Sequence, residues 1–479
     1  MLQAETLQLL CLTASSGVPL FSRGSSKQLP FSIIGSLNGV HMFGAGHGAQ
    51  LASCETDRGS RVVWGVFQES LMLIAVSGGG GCAISELQLR RLLENVWNCM
   101  VLVLGQDELV NIRNVERLKR ELRSCYRLID MLLERVNDDQ GFMGDLTQCA
   151  DCLLLSHSGL LQEALDSFAQ AAESEFGCLL VHGRIAQATE KWWSRLTSQE
   201  VVVLSILVHS ISGASSCDYP VFLPQGSPTI AIRLLSFQLL PGVHVCVLCG
   251  PKPSLYKAKN ELISRFWSTF VENLRSCLEQ AERSTLPSSV NLRWDIQALL
   301  LINRESKRAV TVCPRVRSGA PSEATPLLSS GRRLELLRLF YTFAVTRYFT
   351  SQETSVSSAS TTSEDFSQGF THVPVQCYLV TDECKCYALQ SSQHQLFVLM
   401  DLSVPTYWIN GRRFTVKGSF TPVKVWSRFR RFTRGRSLLS VVSVTEEASL
   451  SSLLESFCIP GGPKQTSTAE DVRKRSVTP

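Results

Sequence analysis

Three short stretches carry residue types able to do chemistry. The first, SGGGGC over 77–82, has the glycine density of a phosphate-binding loop. Such a loop needs Lys and then Ser or Thr after its glycines, and a dinucleotide turn needs spaced glycines that open a helix after a strand. Neither pattern is present, so the run reads as a flexible connection between a strand and a helix. The second stretch, CADC, sets Cys149 and Cys152 at zinc-ligand spacing, and the third, CKC, sets Cys384 two residues before Cys386. Structural zinc takes four ligands, commonly from two matching pairs. These pairs differ in spacing and lie far apart, and they read as buried thiols. The eight histidines are scattered. His41, beside an apolar helix face, and His182, in a hairpin, read as packing or surface residues. No nucleophile elbow and no Ser–His–Asp or Cys–His arrangement can be assembled. The residues point to no catalytic group, no cofactor and no metal.

The elements that would position such groups are better marked. A chain of 479 residues suggests three domains at about 150 residues each. With 44% apolar and 19% charged residues, most of it can bury a core. The seventeen cysteines sit mostly inside apolar runs, as Cys11, Cys246, Cys249 and Cys277 do, which predicts reduced, buried thiols. The N-terminus has no secretory pattern, and no window reaches about 18 uninterrupted apolar residues, so neither a signal peptide nor a membrane span is expected. The net charge of +5 belongs to the end of the chain, since residues 401–479 alone carry +7.

Apolar patterning predicts a hairpin over 6–23, a helix over 31–43, and strands over AQLASCE, RVVWGVFQES and LMLIAVS. Two helices close this unit. The first covers 85–104, with Ser85 as N-cap and Gln88 three residues on, and the second covers 108–135. A helix near 159–174 then leads to a second hairpin (177–189), a helix (192–211), three strands and a long helix (254–283). A third hairpin (292–313) precedes a helix (331–349) and three more strands. The order strand, strand, helix, three strands, helix thus recurs. It predicts an α+β architecture of three tandem domains, each a five-stranded, mostly antiparallel sheet flanked by helices. Their bounds are placed at 1–140, 141–285 and 286–405. A Ser/Thr-rich insert (350–372) is expected to be disordered, and a basic tail (406–479) to be partly so.

That order resembles the longin domain, and three longins in one chain resemble the tri-longin Rab-activator family. LLCLTASSGVPLF, LPFSIIGSLNGVHMFG, LVNIRNVERLKRELR, MGDLTQCADC and DYPVFLPQGSPT are similar to its planar-polarity members, a likeness that covers about residues 5–400. The resemblance implies a non-catalytic scaffold that pairs through longin domains with an Inturned-like tri-longin protein. It also implies a WD-repeat planar polarity effector as a further partner, and a Rab-like small GTPase bound by the pair. The implied work is cilium assembly, planar cell polarity, Hedgehog signalling and vesicle transport, in the cytoplasm, on the cytoskeleton and at the ciliary base. Two roles stay open: activation, by stabilising a GTPase state of low nucleotide affinity, or recruitment by an adaptor without exchange. The end of the chain departs from the family. Where a third longin closes with a helix, a basic segment stands instead, either an extended C-terminus or the product of an alternative transcript.

Two segments are candidate binding sites. In 31–43, Phe31, Ile33, Ile34, Leu37, Val40, Met42 and Phe43 accompany Gly35, Gly39 and Gly44. Phe31, Ile34, Leu37 and Val40 are expected to face the unit's own sheet, with Ile33 and Met42 off that stripe. Glycine costs a helix about 1 kcal/mol against alanine. The segment is therefore either an ordinary core helix or one buried on two sides, by its sheet and by a partner. The family's use of this helix in pairing favours the second. In the tail, Arg412, Arg413, Lys417, Lys424, Arg428, Arg430, Arg431, Arg434 and Arg436 interleave with aromatic residues, Trp426 among them. No acid intervenes between Asp401 and Glu446. Such a run suits an anionic membrane such as one bearing phosphoinositides, or RNA, or solvent alone. The family's work at membranes favours lipid, and no nucleic-acid partner is expected.

Overall fold

The structure is a computed structural model. It describes residues 7–24, 29–57, 59–78, 84–136, 141–155, 158–211, 213–282, 295–314, 328–349, 375–404 and 438–440. The insert and the basic run lie outside these residues.

In the first domain, β1 (Leu7–Thr13) and β2 (Pro19–Gly24) form the opening hairpin, and α1 (Phe31–Gly46) follows. The hairpin turn is held by Thr13, whose Oγ1 accepts the Val18 N–H at 3.0 Å. Gly17 has φ +65° there, and a Cβ on it would come within 2.2 Å of the Asn38 side chain on α1. β3 (Ser53–Glu55), β4 (Arg61–Phe67) and β5 (Leu71–Ser77) complete an antiparallel sheet in the order β2-β1-β5-β4-β3. Every residue of β1 and β5 is buried. That explains why LQLLCLT and LMLIAVS are nearly continuous apolar runs rather than alternating ones, since both faces of the sheet are covered.

α2 (Glu86–Leu104) opens with the expected capping box, Ser85 with Gln88. The helix expected over 108–135 is broken into α3 (Gln106–Val110), α4 (Val115–Glu121), a 3-10 turn and α5 (Tyr126–Arg135). The break follows from Asn114, whose side chain accepts the Arg117 N–H at 3.0 Å and caps a new start.

A linker carries α6 (Gly144–Thr147) and β6 (Ala150–Asp151) into α7 (Ser158–Ala171) of the second domain. There β7 (Phe176–Val181), β8 (Arg184–Ala188), α8 (Glu190–Arg195), α9 (Ser198–Ser210), β9 (Ser216–Leu223), β10 (Ser227–Leu240) and β11 (Val243–Cys249) repeat the plan, in the order β8-β7-β11-β10-β9. The helix expected over 192–211 is split because Thr197 and Glu200 form a second capping box. The closing helix is also segmented, into α10 (Leu255–Lys257), α11 (Ile263–Trp267) and α12 (Val271–Glu282), by a π turn and a 3-10 turn.

The third domain contains β12 (Ile296–Asn303), β13 (Arg308–Val312), α13 (Ser330–Arg347), β14 (Gln376–Val380), β15 (Lys385–Gln390) and β16 (His394–Met400). Its sheet has seven strands rather than five. β17 (Leu438–Ser440) adds beside β14, and the linker strand β6 adds in parallel beside β13. The linker also bridges to the second sheet, through Cys152 and Ile185. Cys152 N donates to Ala309 O and Leu153 N to Ile185 O, each at 2.8 Å. Four residues thus cover the outer edges of both β13 and β8.

The first two domains share one apolar core, in which α2 and α5 pack on α9 and α2 packs on β9. The third domain has its own core under α13. It is tied to the linker by Arg338, which donates to Phe142 O and to Asp145 Oδ2, the latter at 2.5 Å, with both side chains buried.

Candidate docking surface on the first domain

The residues with chemical potential are dispersed. Burial pushes the Cys149 thiol up to about 11 and the Cys152 thiol up to about 12, so both stay protonated and unreactive at neutral pH. Cys384 and Cys386 bring their sulfurs to 3.6 Å inside the third core. Among the described residues no three His, Cys, Asp or Glu side chains cluster as a metal site. His182 sits in the β7–β8 turn, 3.8 Å from Glu282. His244 is buried on β11; burial first, then His209 and His182, push its pKa down to about 4 from its ordinary 6.5. Most of the glycine run lies outside the described residues. No described helix is long and apolar enough to cross a membrane.

The more informative feature is α1. It begins after Pro30, whose fixed φ suits the entry into a helix, and it carries no Asp, Glu, Lys or Arg in its sixteen residues. Ile34, Leu37 and the buried His41 turn toward the sheet, over Leu10, Leu12, Val62, Trp64, Met72, Ile74 and Val76. The Trp64 indole donates to Leu37 O at 3.3 Å and fixes the helix on that face. Phe31, Val40, Met42 and Phe43 point outward, at 76%, 56%, 44% and 71% exposure.

The expected stripe of Phe31, Ile34, Leu37 and Val40 is therefore corrected. A constant step of three drifts by about 60° each time around a helix of 3.6 residues per turn, so Phe31 and Val40 fall on opposite sides. The inward set steps by three and then four, and His41 holds its third place. Sequence patterning missed it because a histidine does not score as core. Ile33 is half-buried. Gly35 and Gly39 are not required by anything inside the domain, since a Cβ on either would meet no atom within 4 Å, whereas one on Gly44 would come within 3.1 Å of Ala49 O.

α9 and α13 occupy the place of α1 in the other two domains. α9 is buried all round by its sheet and by the first domain, from Glu200 through Leu204 and again from Ile206 to Val208. α13 buries Leu337 and Phe340 against its sheet and Arg338 against the linker. Among the described residues, α1 is the member of the trio with an uncovered apolar face. The basic tail residues from Arg412 to Arg436 lie outside the described residues.

Models of the first, second and third longin domains of FUZ, MON1 and HPS1 match residues 7–132, 172–268 and 295–410. The chain belongs to this tri-longin family. Within it, the "Protein fuzzy homolog" of Xenopus tropicalis is 50% identical over 408 residues, covering 85% of this chain and 96% of that protein. The human protein of the same name is 43% identical, over 87% and 98%. The mouse protein is 41% identical, over 87% and 98%. The tri-longin assignment explains the triple repeat of sheet order and gives α1, α9 and α13 a common origin in the longin plan.

Proposed function

We propose that this tri-longin protein is a non-catalytic scaffold whose first domain pairs through α1 with an Inturned-like tri-longin partner. The observation that carries the reading is the outward face of α1: apolar, uncharged, and smoothed by Gly35 and Gly39, which its own domain does not need. An exposed apolar patch of this kind drives association, and glycines let a second backbone approach closely. α9 supports the reading from within the same chain, because an equivalent apolar helix there is covered by another longin domain. Phe31, Val40, Met42 and Phe43 supply the contact, with Ile33 at its margin, while Ile34 and Leu37 hold the helix to its sheet.

The pair then binds a Rab-like small GTPase at the ciliary base, alongside a WD-repeat planar polarity effector, and promotes nucleotide release by favouring the low-affinity state of the GTPase. Co-purification of the full chain with the partner tests the first step. A 1:1 complex is expected, lost with Phe43→Asp while the variant's melting temperature holds. A monodisperse monomer indifferent to the partner overturns it. Release of labelled GDP from the GTPase, with and without the pair, tests the second step; binding without faster release makes the pair an adaptor.

A further inference from the structure

We infer that the free edge of β2 is a docking site for an acidic, extended segment of a partner protein, which adds to the first sheet as a sixth strand. The three sheets share one strand order, and β2, β8 and β13 hold the same edge position. In the second and third domains that edge is occupied. The linker's Ala150 and Asp151 pair with β13, and Cys152 bridges to Ile185 of β8. β2 has β1 on one side and, among the described residues, no strand on the other. An uncovered edge offers a row of backbone donors and acceptors to an incoming strand.

The chemistry of the occupant follows from the flank of this edge. α4 and α5 lie against β2. Phe21 meets Tyr126 with ring centroids 5.7 Å apart, the Arg23 guanidinium lies 4.7 Å over the same ring, and Arg23 Nε donates to Asp130 at 2.8 Å. Arg23 is thereby neutralised. Arg120, Arg123 and Arg127 are not; they follow at steps of three and four, which places them on one side of the helical run. All three are exposed, and none has a carboxylate partner among the described residues. Arg127 shares the side of α5 that carries Tyr126 and Asp130, and Arg123 precedes it by four residues in the 3-10 turn. Three exposed cations on the helical run that packs against this open-edged strand favour an incoming strand with alternating acids, and they repel the basic run of this chain's own tail.

The test uses the full chain and a labelled peptide of roughly eight residues that alternates valine with glutamate. Its lysine and proline-interrupted counterparts are controls, since proline cannot pair in the ladder. The glutamate peptide is expected to bind, more weakly as salt rises, and to slow amide exchange within 20–24. The triple variant Arg120→Glu, Arg123→Glu, Arg127→Glu should lose binding by at least about tenfold with its melting temperature unchanged, and neither control should bind. The inference is overturned by no binding, by equal binding of the triple variant, or by protection confined to α1 or β3. It is also overturned if anionic vesicles protect 20–24 where the peptide does not. Pairing through α1 is read separately, by co-purification with the partner.

Discussion

α1 and α9 are the same helix of the same fold, and both are rich in apolar residues, yet one is sealed and the other is open. α9, SQEVVVLSILVHS, has no glycine, and the first domain packs on the face its sheet leaves free. α1 spends four of its sixteen positions on glycine and leaves Phe31 and Phe43 in solvent. An all-round apolar helix therefore does not announce whether both its faces are filled from within the chain. The glycines do carry that information, since a helix packed only on its own sheet gains nothing from them.

The sharpest way to break this contrast is to place one charge on each helix. Leu204→Asp puts an unpaired carboxylate at a fully buried site between two domains, and should cost about 4 kcal/mol or more. It should be read as loss of soluble, cooperatively melting protein. Val40→Asp, on the outward face of α1, should shift stability by no more than ~0.5 kcal/mol. Equal damage from both would erase the distinction.

A smaller effect comes from acid. His244 stays neutral in the fold down to about pH 4, whereas in the unfolded chain it takes its proton near 6.5. The unfolded state therefore binds more protons across that window, and stability falls as pH drops from 6.5 toward 4, by roughly 2 kcal/mol. Denaturant melts at pH 7 and pH 5 should show this slope, and His244→Gln should flatten it. An unchanged slope in that variant would remove His244 from the account.

The smallest expected effect has the opposite sign. Gly35→Ala and Gly39→Ala add a methyl that touches nothing in the chain, so each should stabilise the helix by up to ~1 kcal/mol. Each should at the same time weaken pairing with the longin partner. Stabilised variants that pair as well as the parent would show that the glycines serve no interface.

Much of the fold was legible in the residues. Hairpins announced themselves through apolar runs broken by short turns, and Ser85 with Gln88 marked the start of α2. What escaped was angular or long-range. His41 hid the inward phase of α1. Asn114 and Thr197 acted as internal caps inside stretches whose apolar spacing continued unbroken. Arg338 and Asp145 stand 193 residues apart, and no local pattern pairs them. β6 is two residues long, too short for an alternation to show, though it sits at the junction of two sheets. Of the candidate site, the segment was legible; which of its side chains face outward was a matter of three-dimensional phase.

The linker strand also sets an order of assembly. Residues 150–151 cannot take their place on the third sheet until residues 308–309 exist, so during synthesis from the N-terminus this slot waits, as does the part of the shared core that Val310 and Val312 fill. Through the same interval Asp145 lacks Arg338, and Cys149 lacks the third-core residues it packs with. The third domain is then the closing piece. A chain stopped before it would leave that edge open and the Asp145 carboxylate without the buried cation that neutralises it.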